Sequence, residues 1–147
     1  MSSLAPDSSI DLARLLKEAE ADPAGVLAEC DALEAGGALE RAEDFGALAY
    51  ARAKAHWRKG NFTTALSATE ASIQQLGAAD NNGMRNEVEL MRGTILINLS
   101  RYSEALPVLM DAAAYFEEAG SCDGIGRAYG SLGLLYAGTG DGDAALA

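Results

Sequence analysis

Residues 60–66 read GNFTTAL, residues 100–106 read SRYSEAL, and residues 140–146 read GDGDAAL. The three segments share an Ala-Leu step at an interval of 40 residues, and the residues around them recur at the same interval. Small residues, for example, stand at Ala53, Gly93 and Gly133. A fixed period of this size is typical of stacked two-helix units that cannot bury their apolar faces alone. The sequence therefore predicts a helical repeat protein.

Composition favours helices and argues against several classes of partner. The 147 residues are 49% hydrophobic but only 6% aromatic, and three are proline. The net charge of -11 disfavours nucleic acid and anionic membranes as partners. Cys30 and Cys122 lie far apart in the chain, outside any Cys/His cluster, which predicts reduced thiols in a cytoplasmic protein. No signal peptide and no membrane-spanning segment is expected.

Capping and turn residues divide the chain into four predicted helix pairs, all within one domain over 1–147. A degenerate capping pair covers 9–37, with Ser8 or Ser9 capping its first helix and Asp22-Pro23 starting its second. Repeat 1 covers 41–77, repeat 2 covers 84–119 and repeat 3 covers 124–147. The second helix of repeat 3 starts at Asp143 and has room for about one turn. We therefore expect a truncated last repeat, cut from a longer protein.

The landmarks of these pairs resemble the tetratricopeptide repeat family, in a variant of about 40 residues found in bacterial signalling and regulatory proteins. That family has a small residue midway along the first helix, glycine at the turn, an aromatic residue opening the second helix, and then Ala-Leu. Repeat 1 carries these landmarks as Ala53, Gly60, Phe62 and Ala65. The resemblance implies an all-α fold, a right-handed superhelix (α-solenoid) of antiparallel helix pairs with a concave groove.

The chain departs from the family pattern at a few positions. Arg52 and Arg92 stand where the family prefers leucine, and Gly142 replaces an aromatic residue. These departures make repeat 3 the weakest of the three repeats.

The resemblance also implies which side chains line the groove. The candidate partner-binding residues are Tyr50, Lys54, Trp57, Arg58, Leu90, Thr94, Asn98 and Arg127. The first four share one helical face by their spacing. On an acidic chain, such a local basic and aromatic patch indicates an acidic or aromatic partner segment. Alternatively, Trp57 packs in the core while the cations solvate the surface, and the sequence leaves both interpretations open.

No residue pattern indicates catalysis, a cofactor or a metal ion. His56 is the only histidine, and its repeat counterparts Leu96 and Tyr136 predict a packed, hydrogen-bonded core residue. No nucleophile or acid is placed beside it by the repeat pattern. The glycines of 124–133 lack the preceding strand of a dinucleotide loop, and 138–143 lacks the length and terminal glutamate of an EF-hand loop. We expect a protein without enzymatic activity.

The sequence thus predicts a protein–protein interaction scaffold that binds a partner peptide or helix in its groove. The resemblance implies the N-terminal regulatory part of a larger bacterial signalling protein, such as a diguanylate cyclase, a kinase or a transcription regulator. The alternative is a self-association module, in which the open C-terminal repeat forms a homodimer through an uncovered apolar surface around Leu132, Leu134, Leu135 and Tyr136.

Overall fold

The computed structural model describes residues 10–140, whose regular secondary structure is entirely α-helical. The helices are α1 (Leu12–Ala21), α2 (Pro23–Ala35), α3 (Ala42–Arg58), α4 (Phe62–Ala78), α5 (Asn82–Asn98), α6 (Tyr102–Ala119) and α7 (Cys122–Gly138). The all-α class predicted from composition and periodicity is confirmed. Within 10–140, no helix is both long and apolar enough to cross a lipid bilayer.

The helix boundaries recur with the period of the sequence. Helices α3, α5 and α7 each have 17 residues and begin at Ala42, Asn82 and Cys122, which lie 40 positions apart. Helices α4 and α6 begin at Phe62 and Tyr102, again 40 positions apart. The landmarks that recur in the sequence therefore occupy the same places in successive helices.

The turns that close α3, α5 and α7 also share one backbone conformation. Gly60, Ser100 and Gly140 adopt positive φ angles of 82°, 59° and 81°. After the first two, the next N–H donates to a helix carbonyl five residues earlier, at 2.9 and 2.8 Å. This is the Schellman arrangement, which satisfies carbonyl groups left free at a helix end. Ser100 adopts a conformation that usually selects glycine, so the repeat keeps the turn even where the residue type changes.

The chain divides into two compact units, residues 1–82 and residues 83–147. In the first unit, α3 packs against α1, α2 and α4. Its core includes the fully buried side chains of Leu15, Leu48 and Leu76. The Ser72 hydroxyl donates a hydrogen bond of 2.6 Å to the carbonyl of Gly46, which joins α4 to α3. A buried hydrogen bond of this kind contributes about 1 kcal/mol.

In the second unit, α7 packs against α6, and α5 approaches α6 closely at Gly93. A Cβ atom built on Gly93 would lie 2.5 Å from Leu109 Cδ2 and 2.7 Å from its Cγ. This confirms that the small residue of repeat 2 permits close helix packing. At Gly133, the counterpart in repeat 3, a Cβ would meet nothing within 4 Å among the residues described.

At the N-terminal pair one prediction holds and one does not. Asp22 caps α2 by accepting a hydrogen bond of 3.0 Å from the Gly25 N–H, with Pro23 as the first helical residue. The predicted start of the first helix near Ser9 is wrong, because α1 begins at Leu12 and Asp11 supplies its capping carboxylate. The predicted caps Ser8 and Ser9, and the predicted second helix of repeat 3 from Asp143, lie outside the described residues.

Candidate functional site

The eight candidate groove residues fall into two groups of four, one in each compact unit. The first group lies on α3 and comprises Tyr50, Lys54, Trp57 and Arg58. The second group lies on α5 and α7 and comprises Leu90, Thr94, Asn98 and Arg127.

The side chain of Lys54 is the centre of the first group. Its Nζ lies 3.4 Å from Oε2 of Glu20, near the end of α1, and 5.7 Å from the centroid of the Trp57 ring. The Lys54 side chain is 20% exposed, whereas that of Glu20 is 60% exposed. The ammonium group therefore contacts both a carboxylate and an aromatic face, and a cation–π contact of this kind contributes about 0.5–1 kcal/mol at an exposed site.

Trp57 is half-buried, so neither interpretation that the sequence left open describes it fully. Its side chain is partly accessible, and its ring lies beside the Lys54 ammonium group. Arg58 and Lys59 follow at the end of α3, and both are exposed. Neither makes an ion pair with any residue of 10–140. We call the patch formed by Glu20, Lys54, Trp57 and Arg58 the Lys54–Trp57 surface.

Arg52, which is close to Lys54 in sequence, lies on a different face of α3. Its guanidinium group pairs with Asp31 and Glu34 of α2, at 2.8 Å in each case. These contacts tie α2 to α3 and leave Arg52 outside the Lys54–Trp57 surface. Arg52 therefore has a structural role, whereas Lys54 belongs to the Lys54–Trp57 surface.

His56 occupies a half-buried position on α3, and its Nδ1 is a buried atom without a hydrogen-bond partner among residues 10–140. The predicted packing is partly present, but the hydrogen bonding predicted for this residue is not found at Nδ1 in the described part of the chain. Burial lowers the pKa of His56, and the nearby cations Lys59 and Arg52 lower it further, against the opposing effect of Asp31. The imidazole is therefore neutral at pH 7.

In the second group, Leu90 is only 4% exposed and belongs to the core. A buried side chain of this kind argues against the predicted contact of Leu90 with a partner, which stays a prediction. The Thr94 hydroxyl lies 3.1 Å from Oγ of Ser131 on α7 and donates to the carbonyl of Leu90 at 3.1 Å. Asn98 is exposed at the last position of α5.

Arg127 is held by side chains of its own unit. Its guanidinium group lies 3.0 Å from Glu87 of α5 and 2.9 Å from Asp123 of α7, and 5.8 Å from the centroid of the Phe116 ring. The hydrogen bond with Glu87 is the main cause that raises the pKa of Arg127. Like Thr94, this residue joins α7 to α5, so its contacts are structural ones.

Sequence reasoning missed Glu20, which is the carboxylate partner of Lys54. Its position near the end of a short helix carries no local signal, because the contact depends on how α1 packs against α3. No group of three or more His, Cys, Asp or Glu side chains within 10–140 could hold a metal ion. Burial raises the pKa of the Cys30 thiol to about 11, which leaves it unreactive.

No protein-family model, curated protein or solved structure matches this chain. Its function is therefore inferred from its own residues and their geometry. The Lys54–Trp57 surface offers an aromatic face, a cation beside an exposed carboxylate, and in Arg58 a further cation that makes no ion pair within 10–140. Such a surface can bind a polypeptide segment with acidic and apolar side chains.

Proposed function

We propose that this chain is a protein–protein interaction scaffold of the tetratricopeptide type, which binds a partner peptide or helix on first-helix side chains. The observation that carries the proposal is the recurrence of α3, α5 and α7 at 40-residue intervals with equal lengths. A helical repeat exposes a series of equivalent surfaces, and such surfaces commonly bind extended or helical segments of other proteins.

Within the described chain, the Lys54–Trp57 surface is the best candidate for the contact. Tryptophan and arginine are the residue types that most often dominate binding energy at interfaces, and Trp57 and Arg58 are adjacent there. Arg127 and Thr94 are weaker candidates because Arg127 pairs with two carboxylates, those of Glu87 and Asp123, and the Thr94 hydroxyl contacts Ser131. The proposed role is that of a cytoplasmic regulatory segment of a larger bacterial signalling protein.

The test is selection of binding peptides from a displayed library against the purified chain, followed by affinity measurements on the selected peptide. Trp57→Ala should weaken binding by about 30-fold, the effect of losing an interface hot spot. Tyr129→Ala is the matched control, because Tyr129 is 50% exposed and lies on α7 in the other unit. Equal losses in both variants, or failure to select any peptide, would contradict the proposal.

The same experiment separates a binding role of Trp57 from a core role. Circular dichroism of Trp57→Ala should retain the helical signal of the wild-type chain. Loss of that signal would mean that the half-buried indole mainly stabilises α3.

Self-association is a second candidate, favoured by the exposed apolar residues of the second unit. Leu134 is 60% exposed and Tyr129 is 50% exposed, and both lie on α7. Large exposed apolar side chains can take part in an interface between two copies of a chain. The expectation that Leu132 and Leu135 are also uncovered is wrong, because both are buried. Sedimentation velocity over a range of concentrations tests this candidate, and a monomer throughout would eliminate it.

A further inference from the structure

One contact of the Lys54–Trp57 surface indicates the chemistry of its partner. Lys54 is already paired with a carboxylate, that of Glu20, at 3.4 Å. Glu20 reaches this position from α1, whereas the rest of the surface belongs to α3. The protein's own side chain thus occupies the place that an acidic residue of a partner would take.

We propose that the Lys54–Trp57 surface binds an acidic segment of a partner protein, and that Glu20 acts as an internal competitor which the partner's carboxylate displaces from Lys54. This inference rests on the proposed scaffold function and adds to it the partner's charge and a means of limiting affinity. An exposed glutamate can leave with little cost, because the 60% exposed carboxylate regains hydration as the pair separates.

Charge complementarity favours an acidic segment over a basic one. The exposed cations Arg58, the last residue of α3, and Lys59, the residue that follows the helix, make no ion pair within 10–140. A partner carboxylate placed between Lys54 and Arg58 would contact two cations, with the accessible part of the Trp57 ring beside it for an apolar neighbour. Arg52 does not contribute, because it lies on a different face of α3, where it pairs with two carboxylates, those of Asp31 and Glu34.

The net charge of -11 repels any acidic ligand at long range. An experiment on Glu20 must therefore distinguish the loss of its contact with Lys54 from the change in net charge. Glu20→Gln frees Lys54 and also removes one negative charge. Glu70→Gln removes the same charge from α4, at an exposed residue that makes no ion pair within 10–140, and is therefore the matched control.

The probe is a synthetic helical peptide with leucine and glutamate on one face, labelled for fluorescence anisotropy. The same peptide with every glutamate replaced by glutamine is the second probe. Glu20→Gln should bind the glutamate peptide about two- to fivefold more tightly than Glu70→Gln does, the range expected for release of an exposed ion pair. The glutamine peptide should not distinguish the two variants.

A second pair of variants tests Lys54 directly. Lys54→Gln and Lys17→Gln each remove one positive charge, so both should weaken binding of the glutamate peptide slightly. Lys54→Gln should weaken it further, because it also removes the contact with the peptide's carboxylate. Lys17 is an exposed residue of α1 that makes no ion pair within 10–140. Circular dichroism of each variant checks that it remains helical.

The outcomes separate this inference from the function on which it rests. Equal affinities of Glu20→Gln and Glu70→Gln would overturn the role of Glu20, and equal binding of both peptides would overturn the acidic specificity. In either case a library-selected peptide that still depends on Trp57 would leave the scaffold function intact. Absence of glutamate-peptide binding in every variant would overturn the inference as a whole.

Discussion

Alanine substitution at two equivalent glycines should raise stability at one of them and fail to raise it at the other. Gly93 and Gly133 lie at the same position of α5 and α7, 40 residues apart. In a helix interior, replacing glycine with alanine stabilises by about 1 kcal/mol when space is available. At Gly133 a Cβ meets nothing within 4 Å among the residues described. Gly133→Ala should therefore raise the free energy of unfolding by about 1 kcal/mol.

At Gly93 the same substitution meets an obstacle. The new Cβ would lie 2.5 Å from Leu109 Cδ2 and 2.7 Å from Leu109 Cγ, distances that force the side chain or the helices to move. Overpacking of this kind costs about 1–3 kcal/mol, which offsets or exceeds the gain in helix propensity. Gly93→Ala should leave the free energy of unfolding unchanged or lower it by up to about 2 kcal/mol.

Urea denaturation followed by circular dichroism measures both effects. The comparison requires that the free energy of unfolding falls with urea concentration at the same slope in the wild-type chain and in each variant. Leu109→Ala alone should cost about 2–5 kcal/mol as a buried large-to-small change. Combined with Gly93→Ala it should cost less than the two single effects added together, because the methyl group introduced on α5 fills part of the space left by the leucine. If Gly93→Ala stabilised the chain as much as Gly133→Ala, the close packing of α5 on α6 would be refuted.

Two further predictions concern the first unit. Because burial holds the pKa of His56 below its ordinary value of 6.5, the folded state favours the neutral imidazole. As the pH falls below about 6.5, His56 takes up a proton in the unfolded chain before it does so in the folded chain. The free energy of unfolding should therefore decline from about pH 6.5 down to the lower pKa of the folded state. Between pH 7 and pH 5, the free energy of unfolding should decline less in His56→Leu than in the wild-type chain. An equal decline would contradict a lowered pKa for His56. Ser72→Ala should cost about 1 kcal/mol, because it leaves the Gly46 carbonyl without its 2.6 Å hydrogen bond. Thermal or urea denaturation checks this against Ser67→Ala at an exposed position of α4, and equal effects would argue against the bond.

Local features of the fold were predictable because they depend on neighbouring residues. Asp22 and Pro23 start α2 as expected, since a capping carboxylate and a fixed φ act within one turn. Gly60 ends its helix through a positive φ that is readily available to glycine. The start of α1 was less predictable, because Ser8, Ser9 and Asp11 are all competent capping residues.

The candidate site was predictable only in part. The shared face of Lys54, Trp57 and Arg58 follows from helical spacing alone. The burial of Leu90 does not, because periodicity identifies a face without saying what packs against it. His56 Nδ1 has no hydrogen-bond partner within 10–140. Comparison with its repeat counterpart Leu96 cannot predict this, because the surroundings of Nδ1 depend on other helices.

The sequence by itself determined the helical class, the 40-residue period and the positions of most turns. These properties arise from backbone preferences and from side chains a few residues apart. Only the tertiary structure placed Glu20 against Lys54 and Leu109 against Gly93. Such contacts join residues distant in the chain, and their distances depend on how whole helices pack.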